Sequence, residues 1–467
     1  MKHSPTSTDP SAEDAESGLS NSGTATNDAD TLDPSQSPAA SDGDQKTTSA
    51  WSWVPSLYFA EAVPFELVMT VSVIFYKGMG VSNTDITLYT GLLYLPWMIK
   101  PIWSPLVDVL WTKRAWILAM QLAIAAGMLG IALCATNELF FVLTLSFFWL
   151  LAIASATHDI AADGFYMIGM SAHQQAFFVG IRSSFYRLGI IASRGLLVML
   201  AGMMIDSALP TGTAWSWTFM LAAAVFAVIA AYHAVMLPRR EKLAKEDSDR
   251  DLASEIVSTV TTFFQKPGIV MGLAYLLLYR FAEAQLAKIA PLFMLDDRSA
   301  GGLGLTETDT GFIYGTAGVL MLVLGGILGG LAIARHGLGK WIFWMAVAIN
   351  LPNAVYIVMA YTMPTQIWVV TAGVAIEQFG YGFGFAGYML YMLYLSQGSH
   401  QTAHFAICTG LMAAGMMLPG MYSGAIQEWL GYQWFFVWVI IATIPSFIVT
   451  WLVKIDPDFG RNKGEPG

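Results

Sequence analysis

The chain has 467 residues, 55% of them hydrophobic and 12% charged, whereas an ordinary soluble domain carries roughly a quarter charged residues. That is too little charge to cover a soluble surface of this size, so a water-soluble globular protein is excluded. The net charge of −10 is no guide to partners of the folded part. Residues 1–50 hold nine acids against Lys2 and Lys46 and so account for −7 of it, and nothing in the remainder points to nucleic acid.

The first fifty residues contain no Phe, Trp, Tyr, Val or Ile and are rich in Ser, Thr, Asp and Gly. Such a segment cannot bury enough apolar surface to offset its ordering entropy, and residues 1–50 are expected to be a disordered acidic tail. It lacks a charged n-region followed by an apolar h-region, so it does not read as a secretory signal. From Trp51 onward apolar runs recur near 52–76, 86–110, 115–136, 139–167, 176–203 and 214–237. They resume near 272–295, 308–334, 340–361, 366–396, 402–425 and 433–453. Many approach the ~20 residues needed to cross the hydrocarbon core. The single long charged interruption, Pro238–Glu255, divides them six and six, with Ile256–Gln265 behind it as an interfacial helix. The expected fold is an all-α integral membrane protein with twelve transmembrane helices in two six-helix repeats. Its bundles are 51–237 and 271–455, the linker is 238–270, and 456–467 is a short C-terminal tail.

Lysine and arginine bias sets orientation. With both termini cytoplasmic, the inner loops and C-terminal tail hold Lys113, Arg114, Arg239, Arg240, Lys242, Lys245, Arg250, Lys266, Arg335, Lys340, Lys454, Arg461 and Lys463, and the outer loops hold only Lys77 and Arg298. A shift of 227 positions, 61 to 288, lays Ala60, Glu61 and Pro64 on Ala287, Lys288 and Pro291. The same shift lays Asp108 on Arg335, Lys113 on Lys340, and His173–Gln174 on His400–Gln401. Duplicated six-helix halves mark transporters with a midplane site between the repeats.

A Pro in span one (LYFAEAVPFEL, 57–67) is joined by Lys-Pro and Trp-x-Pro-x-x-Asp in span two (LPWMIKPIWSPLVD, 95–108). Asp-Ile-x-x-Asp in span four (SATHDIAADGFY, 155–166) and Tyr-Arg-Leu-Gly in span five (FYRLGIIASRG, 185–195) complete the pattern. On these segments the chain resembles the major facilitator superfamily, and within it the AmpG-type muropeptide permeases and their acetyl-CoA-transporter relatives. The likeness is clear over roughly residues 52–240 and rests on hydropathy beyond. Where the family pattern carries a basic residue after the second Asp of span four, this chain has Gly164, Phe165 and Tyr166. The resemblance implies a secondary transporter of a muropeptide-like solute in the inner membrane.

Charges at bilayer depth cost at least ~2.5–3.5 kcal/mol and need partners or a water-filled cavity. The predicted spans hold six bases, Lys100, Arg182, Arg187, Arg194, Arg280 and Lys288, and six acids, Glu61, Glu66, Asp159, Asp163, Glu283 and Glu377. An aqueous pathway through the centre is the economical explanation. Asp159 and Asp163 lie four apart on one helix face. Two nearby carboxylates cannot both ionise cheaply, so one is expected to carry protons in step with substrate while the other pairs with Arg182 or Arg187. The rival reading has both acids holding spans four and five together. His158 points ~100° away from Asp159, so His-Asp-x-x-x-Asp is not taken as a metal site.

Arg280 and Glu283 either neutralise each other or face substrate. Lys288 and Glu61, equivalent by the repeat, are expected to approach across the interface between the halves. With Lys100 and Arg187 these bases favour an anionic or zwitterionic solute. Glu377 opens a glycine-rich span ten that has no strand or Walker lysine beside it and is therefore no nucleotide loop. Its Gly380, Gly382, Gly384 and Gly387 read as close-packing residues, and Tyr388, Tyr391 and Tyr394 as packing or a sugar platform. Asp108, Lys113 and Arg114, with Arg335 and Lys340 in the second half, look like a worn version of the superfamily's gating loop. Cys134 and Cys408 support neither a disulfide nor a metal site.

The expected function is therefore ion-gradient-driven transport, with a small-molecule substrate, protons and membrane lipid as partners, no cofactor, no metal, and a monomeric chain. The alternatives are a membrane-embedded enzyme, for which no nucleophile–base constellation stands out, and a transporter-like sensor.

Overall fold

The computed structural model describes residues 49–170, 172–239, 252–398, 401–456 and 459–461. The acidic tail up to 48, the charged linker at 240–251 and the end of the C-terminal tail fall outside them. Every regular element in the described residues is helical.

Among the described residues nine helices are long and apolar enough to cross a bilayer, beginning with Ala50–Gly78 and ending with Ala403–Leu452. The last spans 50 residues, and Gly431 breaks it with a φ of 72°, so it holds two crossings. Spans two (Asn83–Leu92 and Leu95–Val109) and ten (Ile367–Ser396) complete the twelve. Span two carries Lys100, Pro101, Pro105 and Asp108, and span ten carries Glu377 and its glycines. Most helix ends fall within about three residues of the hydropathy boundaries, span eleven running on to the break at Gly431, and a helix spans Leu252–Phe264.

The internal repeat is visible in the packing. Span one packs on five as seven packs on eleven. Two packs on four as eight packs on ten, and three on four as nine on ten. Among the described residues the halves meet most extensively where span two packs on eleven and span five on eight, with a smaller contact of span one on seven. Backbones nearly touch at the second of these: a Cβ on Gly315 would lie 2.3 Å from the Arg194 carbonyl oxygen. The glycines of span ten act in the same way, since a Cβ on Gly382 would lie 2.0 Å from the Leu322 carbonyl oxygen. Without side chains at these positions the helices close to backbone contact, the source of association where lipid removes the hydrophobic drive.

Among the described residues three spans contain a π-helical stretch, Leu67–Val71, Ile191–Leu197 and Gly311–Ala317. π-bulges gather at functional sites. Here the first follows Glu66, the second contains Arg194 and the third contains Tyr314, and all three residues line the central cavity.

Candidate functional site: a charged cavity between the halves

The cavity encloses about 870 Å³ and is walled by spans one, two, four, five, seven, eight, ten and eleven. Spans one and five, packed on each other, and the second and fourth bring three ion pairs to the first-half wall. Arg194 Nε donates to Glu66 Oε2 at 3.2 Å, and its Nη2 to Thr70 Oγ1 at 3.1 Å. Lys100 pairs with Asp159. Arg182 pairs with Asp163 at 3.0 Å while its guanidinium lies 4.3 Å from the Tyr58 ring centroid, and the Tyr58 hydroxyl also donates to Asp163.

Side-chain exposure rises along this ladder. It is 6% for Glu66 and 15% for Arg194, 19% and 28% for Asp159 and Lys100, and 38% and 31% for Asp163 and Arg182. The cavity therefore opens toward the end of the bundle where span four finishes at Gly169 and span three starts at Lys113. The opposite end is shut. There Lys77 pairs with Asp296, Asn83 Nδ2 donates to Gln427 at 2.7 Å and to the Tyr432 hydroxyl at 3.0 Å, and Thr84 donates twice to Glu428. Thr308 on span eight donates to Asp206 on span five at 2.9 Å. All of these contacts join one half to the other.

The expectation that one of Asp159 and Asp163 lacks a cation is corrected: each has its own. Arg182 is the span-five partner. Five residues on, Arg187 is turned by ~140° and lies instead toward span eight, 3.9 Å from the Cβ position of Gly326. The carboxyl left over is Glu61. It is 8% exposed, its Oε2 has no hydrogen-bond partner among the described residues, and one carboxylate oxygen each of Glu61, Asp159 and Asp163 lie within 4.8 Å of one another. Three carboxyls thus face two cations. His158 points away from them and meets Gln121 Nε2 at 3.1 Å, with His233 on the far side of the same glutamine.

Lys288 does cross to the other half, but not to Glu61. Its Nζ donates to Thr90 Oγ1 at 3.0 Å and lies 5.5 Å from the Tyr94 ring centroid. Glu61 is held by span four, so the repeat-related pair never meets. Arg280 and Glu283 form no ion pair within 4.0 Å. Arg280 Nη2 donates to the Tyr381 hydroxyl at 2.5 Å and the guanidinium packs on Phe385, while Glu283 Oε2 and Arg280 Nε have no hydrogen-bond partner among the described residues. Glu377 is buried behind the cavity wall, accepting from Gln378 Nε2 at 2.9 Å and from Tyr356. Tyr388 spends its hydroxyl on the Leu276 carbonyl and its ring on Tyr279, 5.3 Å away, which makes it core rather than a sugar platform.

Of the gating-loop residues, Asp108 lies in the last turn of span two. Arg114 donates to the Ala234 and Leu237 carbonyls, tying span three to six within the first half. The Lys113 side chain passes over Gly164, where a Cβ would lie 2.8 Å from Lys113 Cε. Arg335 and Lys340 are exposed at the junction of spans eight and nine. Sequence reasoning missed Asn83, Gln427 and Tyr432, the polar residues of the shut end. Single uncharged residues at helix ends carry no signal apart from the partner they meet.

Residues 56–397 match the model of the Major Facilitator Superfamily. The anhydromuropeptide permease of Escherichia coli is 24% identical over 419 residues, 87% of this chain and 80% of that protein. An uncharacterized protein of Haemophilus influenzae is 23% identical over 375 residues, 77% of this chain and 84% of its own length. Among solved structures, the nucleoside transporter NupG superposes with a TM-score of 0.62 at 14% identity, covering 88% of this chain and all of its own. A D-xylose–proton symporter does so with a TM-score of 0.63 at 10% identity, over 88% and 97%. Family, fold and cavity agree: the chain is a multi-pass membrane transporter and belongs to the Major Facilitator Superfamily.

Proposed function

We propose that the chain moves an anionic or zwitterionic, muropeptide-like solute across the inner membrane by proton-coupled symport, and that Glu61 is the carboxyl that carries the proton. The observation that carries this reading is the imbalance at the first-half wall, where Glu61 makes a third carboxyl beside two that already have cations. With a proton on Glu61 the cluster is neutral. Without it the cluster is −1, with the extra charge on a carboxyl that is itself only 8% exposed.

Arg187, Arg280 and Lys288 stand around the same cavity, and none forms an ion pair within 4.0 Å among the described residues. They are suited to receive a carboxylate or phosphate. An anion seated there repels charge on Glu61 and so favours the protonated carboxyl. By reciprocity, the proton favours the anion. Binding of either ligand promotes the other, which is the requirement for symport. Bundles 51–237 and 271–455 then rock about the cavity, the shut end opening as the Lys113 end closes.

The muropeptide reading draws on the family resemblance and on the E. coli permease. It is tested by counterflow in liposomes with labelled muropeptides, sugar phosphates, peptides and acyl-CoA compounds. The expected result is exchange of muropeptides. Exchange of another class alone overturns the substrate and leaves the coupling scheme standing.

Both termini are taken as cytoplasmic from the basic-residue bias, which makes the open end cytoplasmic. A cysteine at Lys113 is expected to react with an impermeant thiol reagent only from the cytoplasmic side, and one at Ala300 only from outside. The reverse pattern contradicts the orientation.

A further inference from the structure

A second cavity, of about 480 Å³, lies on the outer wall of the second half between spans nine (Leu338–Thr362) and ten, away from the charged site. Its ninth-span wall is Trp341, Trp344, Ala348 and Pro352, and its tenth-span wall includes Phe379 and Phe383. The lining is apolar throughout, and Trp344 is 60% exposed on the lipid-facing surface. From Trp341 to Pro352 the helix rises about 16 Å, close to half of the ~30 Å hydrocarbon core. The groove thus has the length of one acyl chain in one leaflet.

Its entrance is basic. Lys340 precedes Trp341 and lies four residues before Trp344, on the same helix face. Arg335 ends span eight five residues earlier, and both are exposed. Among the described residues neither forms an ion pair within 4.0 Å, and no acid occurs between 331 and 350. The C-terminal segment meets this turn where the Leu338 N–H donates to the Phe459 carbonyl. Among the described residues of that segment Lys454 and Arg461 outnumber Asp456, so it brings no net negative charge to Arg335 and Lys340. Trp341 fixes the entrance, its Nε1 donating to His336 Nδ1 at 3.2 Å and its ring set edge-on against Phe383 at 5.6 Å.

We propose that this groove seats one acyl chain of an anionic phospholipid whose headgroup rests on Lys340 and Arg335. Two juxtamembrane bases against a phosphate-bearing headgroup, above an apolar slot of one-leaflet depth, is the combination that selects anionic over zwitterionic lipid. This assigns the pair a lipid contact in place of the gating role read from the repeat.

Native mass spectrometry of the purified full chain with added phosphatidylglycerol or phosphatidylcholine tests it. The wild type is expected to retain phosphatidylglycerol about tenfold or more in preference, on the scale of two surface bases. Arg335→Gln with Lys340→Gln, exposed changes that leave the fold intact, is expected to bring the ratio near one. Ala348→Phe, which fills the slot, is expected to remove the retained phosphatidylglycerol with the bases still present. Equal retention of the two lipids by the wild type overturns the proposal, as does an undiminished preference in the double variant. A dimer that buries Trp344 and excludes lipid also overturns it.

Discussion

Glu61→Gln is expected to abolish uphill accumulation while leaving exchange of substrate down its own gradient intact. Gln keeps the size and hydrogen-bonding capacity of a protonated carboxyl but cannot release a proton. The variant therefore stays in the neutral state of the cluster, able to bind anion and to rock. One pH unit is worth about 1.4 kcal/mol, or tenfold in concentration, per coupled proton. Liposomes holding a one-unit gradient should accumulate solute about tenfold through a one-proton wild-type symporter and about onefold through the variant. The measurement is accumulation beside counterflow in the same preparation. Accumulation by Glu61→Gln at the wild-type level removes Glu61 from the scheme, and loss of both activities at normal expression assigns it to binding rather than coupling.

Glu66→Leu is expected to cost the most stability of any single change at the cavity. Glu66 and Arg194 are the most buried of the three ion pairs, and Arg194 also packs 4.8 Å from the Tyr314 ring centroid across the interface. Removing one partner strands a buried charge, at roughly 3–5 kcal/mol. Removing both costs far less, because the desolvation that the pair had to offset disappears with it. The thermal unfolding midpoint in detergent should fall sharply for Glu66→Leu and recover most of the way in Glu66→Leu with Arg194→Met. A double variant no more stable than the single contradicts the pairing argument.

The spans were legible because hydropathy is a one-dimensional property that the bilayer imposes locally. The two crossings that stand apart, spans two and ten, are those whose sequences serve the cavity or close backbone packing. The spacing of Asp159 and Asp163 correctly put them on one face, since that depends on helix geometry alone. Their cations were only partly legible. Arg182 was one of two options, while Lys100 lies 59 positions before Asp159 on a span whose neighbours are set by the tertiary fold. Glu61 was readable as a buried acid but not as the odd carboxyl of the cluster, because that status depends on which bases are already taken. The repeat had the same limit. It placed Glu61 and Lys288 in equivalent positions, yet Asp159 beside one and Thr90 beside the other give the two side chains different company.

The most direct measurement of the central claim, proton movement tied to solute movement, is made with the wild-type chain in liposomes enclosing a pH-sensitive dye and no initial pH gradient. Inward addition of an exchange-competent anionic solute should acidify the lumen as solute and proton enter together. The signal should vanish in Glu61→Gln although labelled solute still enters. Solute entry through the wild type with no change in luminal pH would contradict proton coupling and leave a facilitated carrier.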